Sequence, residues 1–346
     1  MGINMIQNVL NRYSLQSAHE VQFRMGYKTT FKKNREWIEG DSEILNLSEW
    51  EDLKDLCLKS EEKIFLETKG YLRGVYTDQK NSWSFSFVEW KDTLKAYFSL
   101  ITKASSISYI QNPVYWEALK NESGIHLITG AKQSGKSTLL TEILGESKKD
   151  SPQQIVVHAE PSVLTQLNDE TIFQLGSDAA HWNHSHPFYD GTDIIVVDLN
   201  DLQFLEKWIQ FSESGLKIFI TISSTGIENA IMQIRSFLNN DMALWVRFVD
   251  QISTVLNQKI IGLAEGVIHE ILILKNEQRK VLLNLIDINS NIKNIFKKEI
   301  ESLNYYQSYN QSILQAIVRR RIDVKTAFSV SNDPDDLDQQ LKKMGL

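Results

Sequence analysis

The sequence is poor in cysteine, since Cys57 is the only one in 346 residues. A single thiol cannot form an internal disulfide or a thiolate zinc site, so the composition suits a reducing compartment. No run approaches the roughly 18 to 20 apolar residues of a membrane-spanning helix, and no basic N-terminal region precedes a long apolar segment. We therefore expect a cytoplasmic protein without membrane insertion.

Basic charge is also in short supply. Lys and Arg total 37 against 44 Asp and Glu, which gives a formal net charge of −7 and a pI near 5.6. Domains that bind nucleic acid usually carry a basic patch and a high pI, so we expect no nucleic-acid partner. The hydrophobic share of 42% and the charged share of 23% are typical of globular proteins, and the length accommodates two domains.

The most informative segment is 130–137, which reads G-A-K-Q-S-G-K-S, with two glycines bracketing four residues before Lys-Ser. This is the spacing of a phosphate loop, and it lies between a strand-like run at 125–129 and a helix-like run at 138–144. In that context the loop amides and the helix N-terminus point at phosphates, Lys136 reaches the outer ones and Ser137 can ligate Mg²⁺. The predicted nucleotide-binding residues of this segment are Gly130, Ser134, Gly135, Lys136, Ser137 and Thr138.

Residues 1–105 predict a small α+β domain. Apolar periodicity predicts helices at 3–13, 48–56 and 91–103, the second opened by a capping box of Ser48 and Glu51. Alternating segments predict strands at 21–25, 29–31, 65–68, 71–77 and 83–90, with a hairpin turn at 78–81. A serine-rich stretch that contains Asn112-Pro113 is typical of a linker, which we place at 106–115.

Residues 116–275 alternate strands and helices, as in a mostly parallel sheet covered on both faces. Compact apolar strands are predicted at 155–157, 193–198 and 218–222. The second ends in Asp198, a carboxylate that this class of fold can place beside Mg²⁺ and the attacking water, although such an aspartate can instead cap a helix. The prediction is an α/β core, followed by a helical region at 276–346.

Further segments share a pattern with one family. Residues 193–202 read D-I-I-V-V-D-L-N-D-L, 215–225 read G-L-K-I-F-I-T-I-S-S-T, 266–272 read G-V-I-H-E-I-L, 307–312 read Q-S-Y-N-Q-S and 333–337 read D-P-D-D-L. They resemble the PilT-type twitching-motility ATPases of the type II/IV secretion ATPase superfamily. The corresponding family motifs are D-I-I-L-V-G-E-M-R-D-L, G-H-L-V-F-G-T-L-H-T-T, V-A-A-H-E-I-M, M-Q-T-x-D-Q-S and D-P-x-x-L.

The resemblance implies a PAS-like N-terminal domain, a RecA-like core and a C-terminal helical extension. It also implies a hexameric ring that uses ATP and Mg²⁺ at subunit interfaces and works on the inner-membrane platform protein of a type IV pilus. The expected location is therefore the cytoplasm, peripheral at the inner-membrane pilus base. In this family the first domain lends basic residues to a neighbour's nucleotide. Arg73 and Lys80 are the candidates here, although such residues are usually solvated surface charges.

The departures from the family concern the groups that assist hydrolysis. Where the family has I-E-D-P-I-E, residues 158–163 read H-A-E-P-S-V, so that only Glu160 keeps a carboxylate. The motif around Asp198 is one residue shorter and lacks the family's glutamate. Ser223 replaces the histidine of T-L-H-T, and the following arginine falls on Gln233, with Arg235 two positions away.

Two classes of function follow from these residues. Loss of a catalytic base lowers the rate of hydrolysis by about a hundred- to ten-thousandfold. Loss of a group that stabilises the developing charge lowers it by about the same factor. The first hypothesis is an ATP-binding ring subunit, homomeric or mixed with an active paralogue, in which hydrolysis is weak or lost. The alternatives are an active retraction motor, with Glu160 and Asp198 as catalytic residues and Ser137 with Asp198 on Mg²⁺, or another type II/IV secretion-type ATPase.

One histidine-rich segment could suggest a metal site. His181, His184 and His186 lie close together in the sequence. The segment reads as a loop with no nearby carboxylate of fixed geometry, so exposed histidines are expected here rather than metal ligands.

Overall fold

The computed structural model divides into two compact units, and the chain passes from the first to the second between Lys103 and Ala104. The structure describes residues 8–12, 18, 20–33, 36–78, 81–91, 93–101, 110, 112–132, 134–150, 155–158, 172–175, 189, 191–198, 204–238, 241–261, 266–284, 299–300 and 304–345. Over these residues, no helix is long and apolar enough to cross a membrane.

The first unit is built on an antiparallel sheet of six strands in the order β3-β2-β1-β6-β5-β4. The strands are β1 (Glu20–Arg24), β2 (Lys28–Lys33), β3 (Glu36–Ile44), β4 (Tyr71–Thr77), β5 (Ser82–Trp90) and β6 (Thr93–Ile101). Between β3 and β4 lie two helices, α1 (Leu47–Cys57) and α2 (Ser60–Lys69). Residues 8–12 are also helical.

Aromatic side chains fill the core of this unit. In β5, Trp83, Phe85 and Phe87 alternate with serines, so the period of two buries these three rings on one face. The ring of Phe87 meets Trp50 of α1 edge to face, with 5.4 Å between centroids. The alternating pattern therefore predicted this strand correctly.

Two segments of the first unit differ from the sequence-based prediction. Residues 65–68, predicted as a strand, belong to α2, which ends at Gly70 with a left-handed φ of 78°. Residues 91–103, predicted as a helix, contain β6, which pairs with both β1 and β5. In β6 the fully buried Ala96 and Phe98 follow the strand period, and pairing on both sides outweighs local helix preference.

The capping box of α1 is displaced from its predicted position at Ser48 and Glu51. The N-cap is Asn46, whose Oδ1 accepts from the Glu49 amide at 3.0 Å, while Glu49 Oε2 accepts from the Asn46 amide at 2.9 Å. Because asparagine is among the best N-caps, the helix begins two residues earlier than the serine pattern indicated.

The second unit contains an eight-stranded sheet in the order β14-β13-β12-β7-β11-β10-β8-β9. The strands are β7 (Gly124–Gly130), β8 (Ile155–His158), β9 (Ile172–Leu175), β10 (Ile194–Asp198), β11 (Lys217–Ser223), β12 (Ile252–Ile261), β13 (Gly266–Ile273) and β14 (Tyr306–Gln307). Strands β12, β7, β11, β10, β8 and β9 run parallel, and β13 and β14 are antiparallel additions at one edge.

Nine helices of the described residues accompany this sheet. They are α3 (Pro113–Asn121), α4 (Lys136–Asp150), α5 (Leu205–Glu213), α6 (Ile227–Phe237), α7 (Met242–Gln251), α8 (Asn276–Asn284), α9 (Tyr309–Val318), α10 (Val324–Val330) and α11 (Pro334–Lys343). All residues of β7 are buried, as expected for a central parallel strand covered on both faces. The last three helices form a smaller core with Ile261 of β12 and Ile268 of β13.

The domain bounds predicted from sequence, 1–105, 106–115, 116–275 and 276–346, stay predictions. Helix α3 begins inside the range assigned to the linker, because Asn112 caps it by accepting from the Tyr115 amide at 3.0 Å. Pro113 occupies the first helical turn, where its missing N–H costs nothing.

Replacing Asn46 tests which residue caps α1. Asn46→Ala removes the side chain that accepts from Glu49, so we expect the free energy of unfolding to fall by about 1 kcal/mol. Ser48→Ala, the matched control inside the first turn, should change it by less than about 0.5 kcal/mol. Urea denaturation of both full-length variants measures the difference. Equal losses in the free energy of unfolding would contradict Asn46 as the N-cap in favour of Ser48.

Candidate phosphate-binding site

The candidate site lies where three parallel strands of the second unit end. Strand β11 pairs with β7 so that Ser223 is opposite Gly130, and β10 pairs with β11 so that Asp198 is opposite Thr221. The carboxyl ends of these strands therefore share one edge of the sheet, where open α/β folds bind ligands. The segment after Gly130 leads directly into α4.

Both glycines of the loop are required by close contacts. Gly130 has φ +156°, and a Cβ there would lie 2.3 Å from Ser134 Oγ and 2.6 Å from the Gln258 carbonyl oxygen. Gly135 has φ +82°, and a Cβ there would lie 2.8 Å from Gln258 Nε2. These spacings leave no room for a side chain at either position, so both residues must be glycine.

The loop is closed by its own hydrogen bonds. The Ser134 amide donates to the Ala131 carbonyl at 3.1 Å. Lys136 Nζ donates to the carbonyls of Gly130 at 2.9 Å and Ala131 at 3.0 Å, which holds the ammonium group over the loop. This position is the one from which a lysine can reach the outer phosphates of a nucleotide.

The loop also contains an orphaned polar atom. Ser134 is buried, and its Oγ has no hydrogen-bond partner among the residues that the structure describes. Ser137 and Thr138, in the first turn of α4, are exposed. Bare glycines, a lysine ammonium, a buried hydroxyl and a helix N-terminus are together a donor set that fits a phosphate group.

No protein-family model matches the sequence, and no curated protein sequence matches it. Solved structures do match. The ATPase DotB of Legionella pneumophila has a TM-score of 0.71 at 14% identity over 95% of this chain and 96% of that one. The pilus retraction motor PilT with bound ADP has a TM-score of 0.72 at 15% identity over 96% and 98%. DotB of Yersinia pseudotuberculosis has a TM-score of 0.67 at 16% identity over 94% and 92%.

The chain has the fold of the PilT and DotB ATPases. It is a mixed α/β protein with a PAS-like α+β domain followed by a RecA-like core and a C-terminal helical extension, which confirms the predicted fold class. At this level of identity the likeness establishes the fold alone.

In this PilT-like fold, the structure describes some of the other predicted site residues and not others. Asp198 ends β10 at the same edge as the loop, but only its backbone is described. Arg73 is exposed on β4 of the first unit. Glu160, Lys80 and the histidines at 181, 184 and 186 lie outside the described residues. Within the part of the chain that is described, no three His, Cys, Asp or Glu side chains lie close enough together to hold a metal ion.

The side chains of Gln233 and Arg235 lie on different sides of α6. A cavity of about 890 Å³ beside the loop is lined by Ala131, Ser223 and Gln233, among others. Arg235 is buried instead, with its guanidinium 5.4 Å from the centroid of the Trp245 ring. Gln233 therefore faces the cavity that adjoins the loop, whereas Arg235 belongs to the core.

Sequence reasoning missed a set of buried polar residues on β12 and β13. Asn257 Nδ2 donates to Thr129 Oγ1 at 2.5 Å and to the Ser224 carbonyl at 3.4 Å, and its Oδ1 accepts from Tyr309 OH. It thereby joins the strand before the loop, the end of β11 and helix α9. The available signal was an amide pair, Asn257-Gln258, inside a strand that reads I-S-T-V-L-N-Q-K-I-I.

Glu270 was quoted for the family resemblance without a role. Its carboxylate accepts from the Ile227 amide at 2.9 Å and from Tyr306 OH at 2.7 Å. Gly226, the N-cap of α6, has no side chain to accept that amide, so Glu270 caps the helix from a neighbouring strand. Burial raises the pKa of Glu270 above its ordinary value.

A pair of glycine substitutions tests whether the bare backbone at Gly130 is required. Gly130→Ala places a methyl group within 2.6 Å of two oxygens, so we expect loss of nucleotide binding and a stability loss of about 2 kcal/mol or more. Gly145→Ala is the control, because nothing lies within 4 Å of its added Cβ in helix α4. It should raise the free energy of unfolding by about 0.5 to 1 kcal/mol. Fluorescent ADP titration and urea denaturation measure both quantities. Binding by Gly130→Ala would contradict the required close approach.

Proposed function

We propose that this protein is an ATP-binding, ring-forming subunit of the type IV pilus machinery, related to the retraction motors, in which hydrolysis is weak or lost. The observation that carries the proposal is the phosphate loop, in which Lys136 lies over a loop of bare backbone at the end of a buried parallel strand. The fold shared with a pilus retraction motor that binds ADP supports it.

The loop supplies the chemistry of nucleotide binding. Backbone amides of 130–137 and the N-terminus of α4 would donate to the phosphate oxygens, and Lys136 would neutralise the outer phosphate. Ser137, with Asp198, would hold Mg²⁺, which would offset the negative charge of the phosphates. Ser134 Oγ, which is buried, would gain the hydrogen bond that it otherwise lacks among the described residues.

Weak hydrolysis follows from the residues around the loop. Ser223 occupies the place of the family's histidine, and Gln233 the place of its arginine, beside the cavity that adjoins the loop. Neither side chain carries a positive charge that could stabilise the transferring phosphoryl group. Arg235 cannot substitute, because it is buried against Trp245 in the core.

The assembly is proposed from the sequence resemblance. The protein would form a homo-hexamer, or a mixed ring with an active paralogue, in the cytoplasm at the inner-membrane pilus base. Arg73 and Lys80 of the N-terminal domain would approach a neighbour's nucleotide, and the pilus platform protein would be the partner. If Glu160 and Asp198 suffice for catalysis, the protein is instead an active retraction motor.

Steady-state Mg-ATP hydrolysis, with ATP binding recorded on the same samples, tests the proposal. We expect wild type to bind ATP and to turn over more slowly than about 0.1 per second, below the slow end of ordinary enzymes. Lys136→Ala should weaken binding by about tenfold or more, because a charge-assisted contact to phosphate is lost.

Lys132→Ala is the matched control, since it removes the same charge from an exposed position of the same loop. Screening of an exposed charge should limit its effect to about threefold. Turnover faster than about 0.1 per second that Lys136→Ala abolishes would establish the active motor instead. Failure of wild type to bind nucleotide would overturn the proposal.

A further inference from the structure

The side chain of Gln258 lies against the phosphate loop. Strand β12 pairs with β7 so that Gln258 is opposite Gly130, the first residue of the loop. From there Gln258 Nε2 donates to the Ser134 carbonyl at 2.6 Å. The same residue accounts for close contacts at both loop glycines, through its carbonyl oxygen at Gly130 and its Nε2 at Gly135.

The bond to the Ser134 carbonyl fixes the orientation of a whole peptide group. The peptide that joins Ser134 to Gly135 is planar and trans, so its C=O and N–H point in opposite directions. When Gln258 holds the carbonyl toward β12, the Gly135 N–H must point to the other side, into the loop. An N–H fixed in that direction is one of the donors with which such a loop binds phosphate.

A second side chain determines which end of the Gln258 amide faces the loop. His269, opposite Gln258 in the β12–β13 pair, has its Nε2 3.0 Å from Gln258 Oε1. Gln258 Oε1 can only accept, so Nε2 carries the proton in this pair. Burial lowers the pKa of His269 to about 3, so the ring is neutral at physiological pH.

We propose that Gln258 is a positioning residue of the phosphate loop, which fixes the Ser134–Gly135 peptide for phosphate binding, and that His269 sets the orientation of the Gln258 amide. This inference rests on the proposed nucleotide binding and deepens it. In this role Gln258 acts through the loop backbone and His269 acts through Gln258, so neither residue need touch the phosphate.

The test compares Gln258→Leu with wild type in the full-length protein. The readout is displacement of a fluorescent ADP analogue by inorganic pyrophosphate, which reports the phosphate contacts without the base or ribose. We expect pyrophosphate affinity to fall about tenfold, the effect of losing one well-placed hydrogen bond. Gln258→Glu should fall at least as far, because a carboxylate cannot donate to the Ser134 carbonyl.

Gln278→Leu is the matched control for general destabilisation. Gln278 is equally buried, and it bonds two backbone groups, the Asn304 carbonyl at 2.6 Å and the Lys275 amide at 3.1 Å. It lies on α8, which follows β13. The end of β13 lies beside the amino ends of the parallel strands, whereas the loop follows their carboxyl ends. This variant should unfold at lower temperature but keep its pyrophosphate affinity within about twofold of wild type.

Conservative replacement tests the part played by His269. His269→Gln keeps a donor near the position of Nε2, so its affinity should stay within about twofold of wild type. His269→Leu removes the donor, and affinity should fall about three- to tenfold. If His269 acted through packing alone, His269→Gln would lose as much pyrophosphate affinity as His269→Leu, or more.

The outcomes separate the two proposals. If wild type binds no nucleotide, the proposed function is overturned, and the positioning role falls with it. If wild type binds and Lys136→Ala does not, but Gln258→Leu and Gln258→Glu match wild type, only the positioning role is overturned. An equal loss of pyrophosphate affinity in Gln278→Leu also overturns the positioning role, because the effect would then come from lower stability of the fold.

Discussion

The close approach of strand β12 to the first residue of the phosphate loop is the constraint on which the rest of the second unit depends. Because Gln258 lies opposite Gly130 in a parallel pair, the loop can have no side chain at either of its glycines. Glycine is the residue that so close an approach of loop and strand allows. The same contact places a donor against the Ser134 carbonyl.

Two buried polar groups next to this contact connect the sheet to the C-terminal region. On β12, Asn257 joins Thr129 to Tyr309 of α9, and on β13, Glu270 joins the start of α6 to Tyr306. Ser312 of α9 donates to the His269 carbonyl. Buried polar groups are expensive unless every partner is present, so these contacts specify one packing of the tail against the sheet.

The spacing of apolar residues and glycines along the chain predicted the elements that depend on neighbouring residues in the sequence. The strand, glycine-containing loop and helix at 124–150, the apolar strands β10 and β11, and the alternating strand β5 follow from spacing along the chain alone. Residues 65–68, which end a helix before Gly70, and residues 93–101, which form β6, were assigned wrongly. For the second segment, pairing with β1 and β5 decides between helix and strand. Gln258 and His269 are far from the loop in sequence, so only the register of the sheet shows that they serve it.

The strand order of the first unit has a consequence for how the chain acquires its structure. Strands β1 and β6 are neighbours at the centre of the sheet, with Glu20 opposite Ser99, so the first strand pairs with the last one made. A nascent chain that does not yet extend to Ile101 lacks a complete β6, the strand that joins β1–β3 to β4 and β5. Formation of this unit must therefore wait for that long loop to close, which places it among the slower-folding, high contact-order topologies.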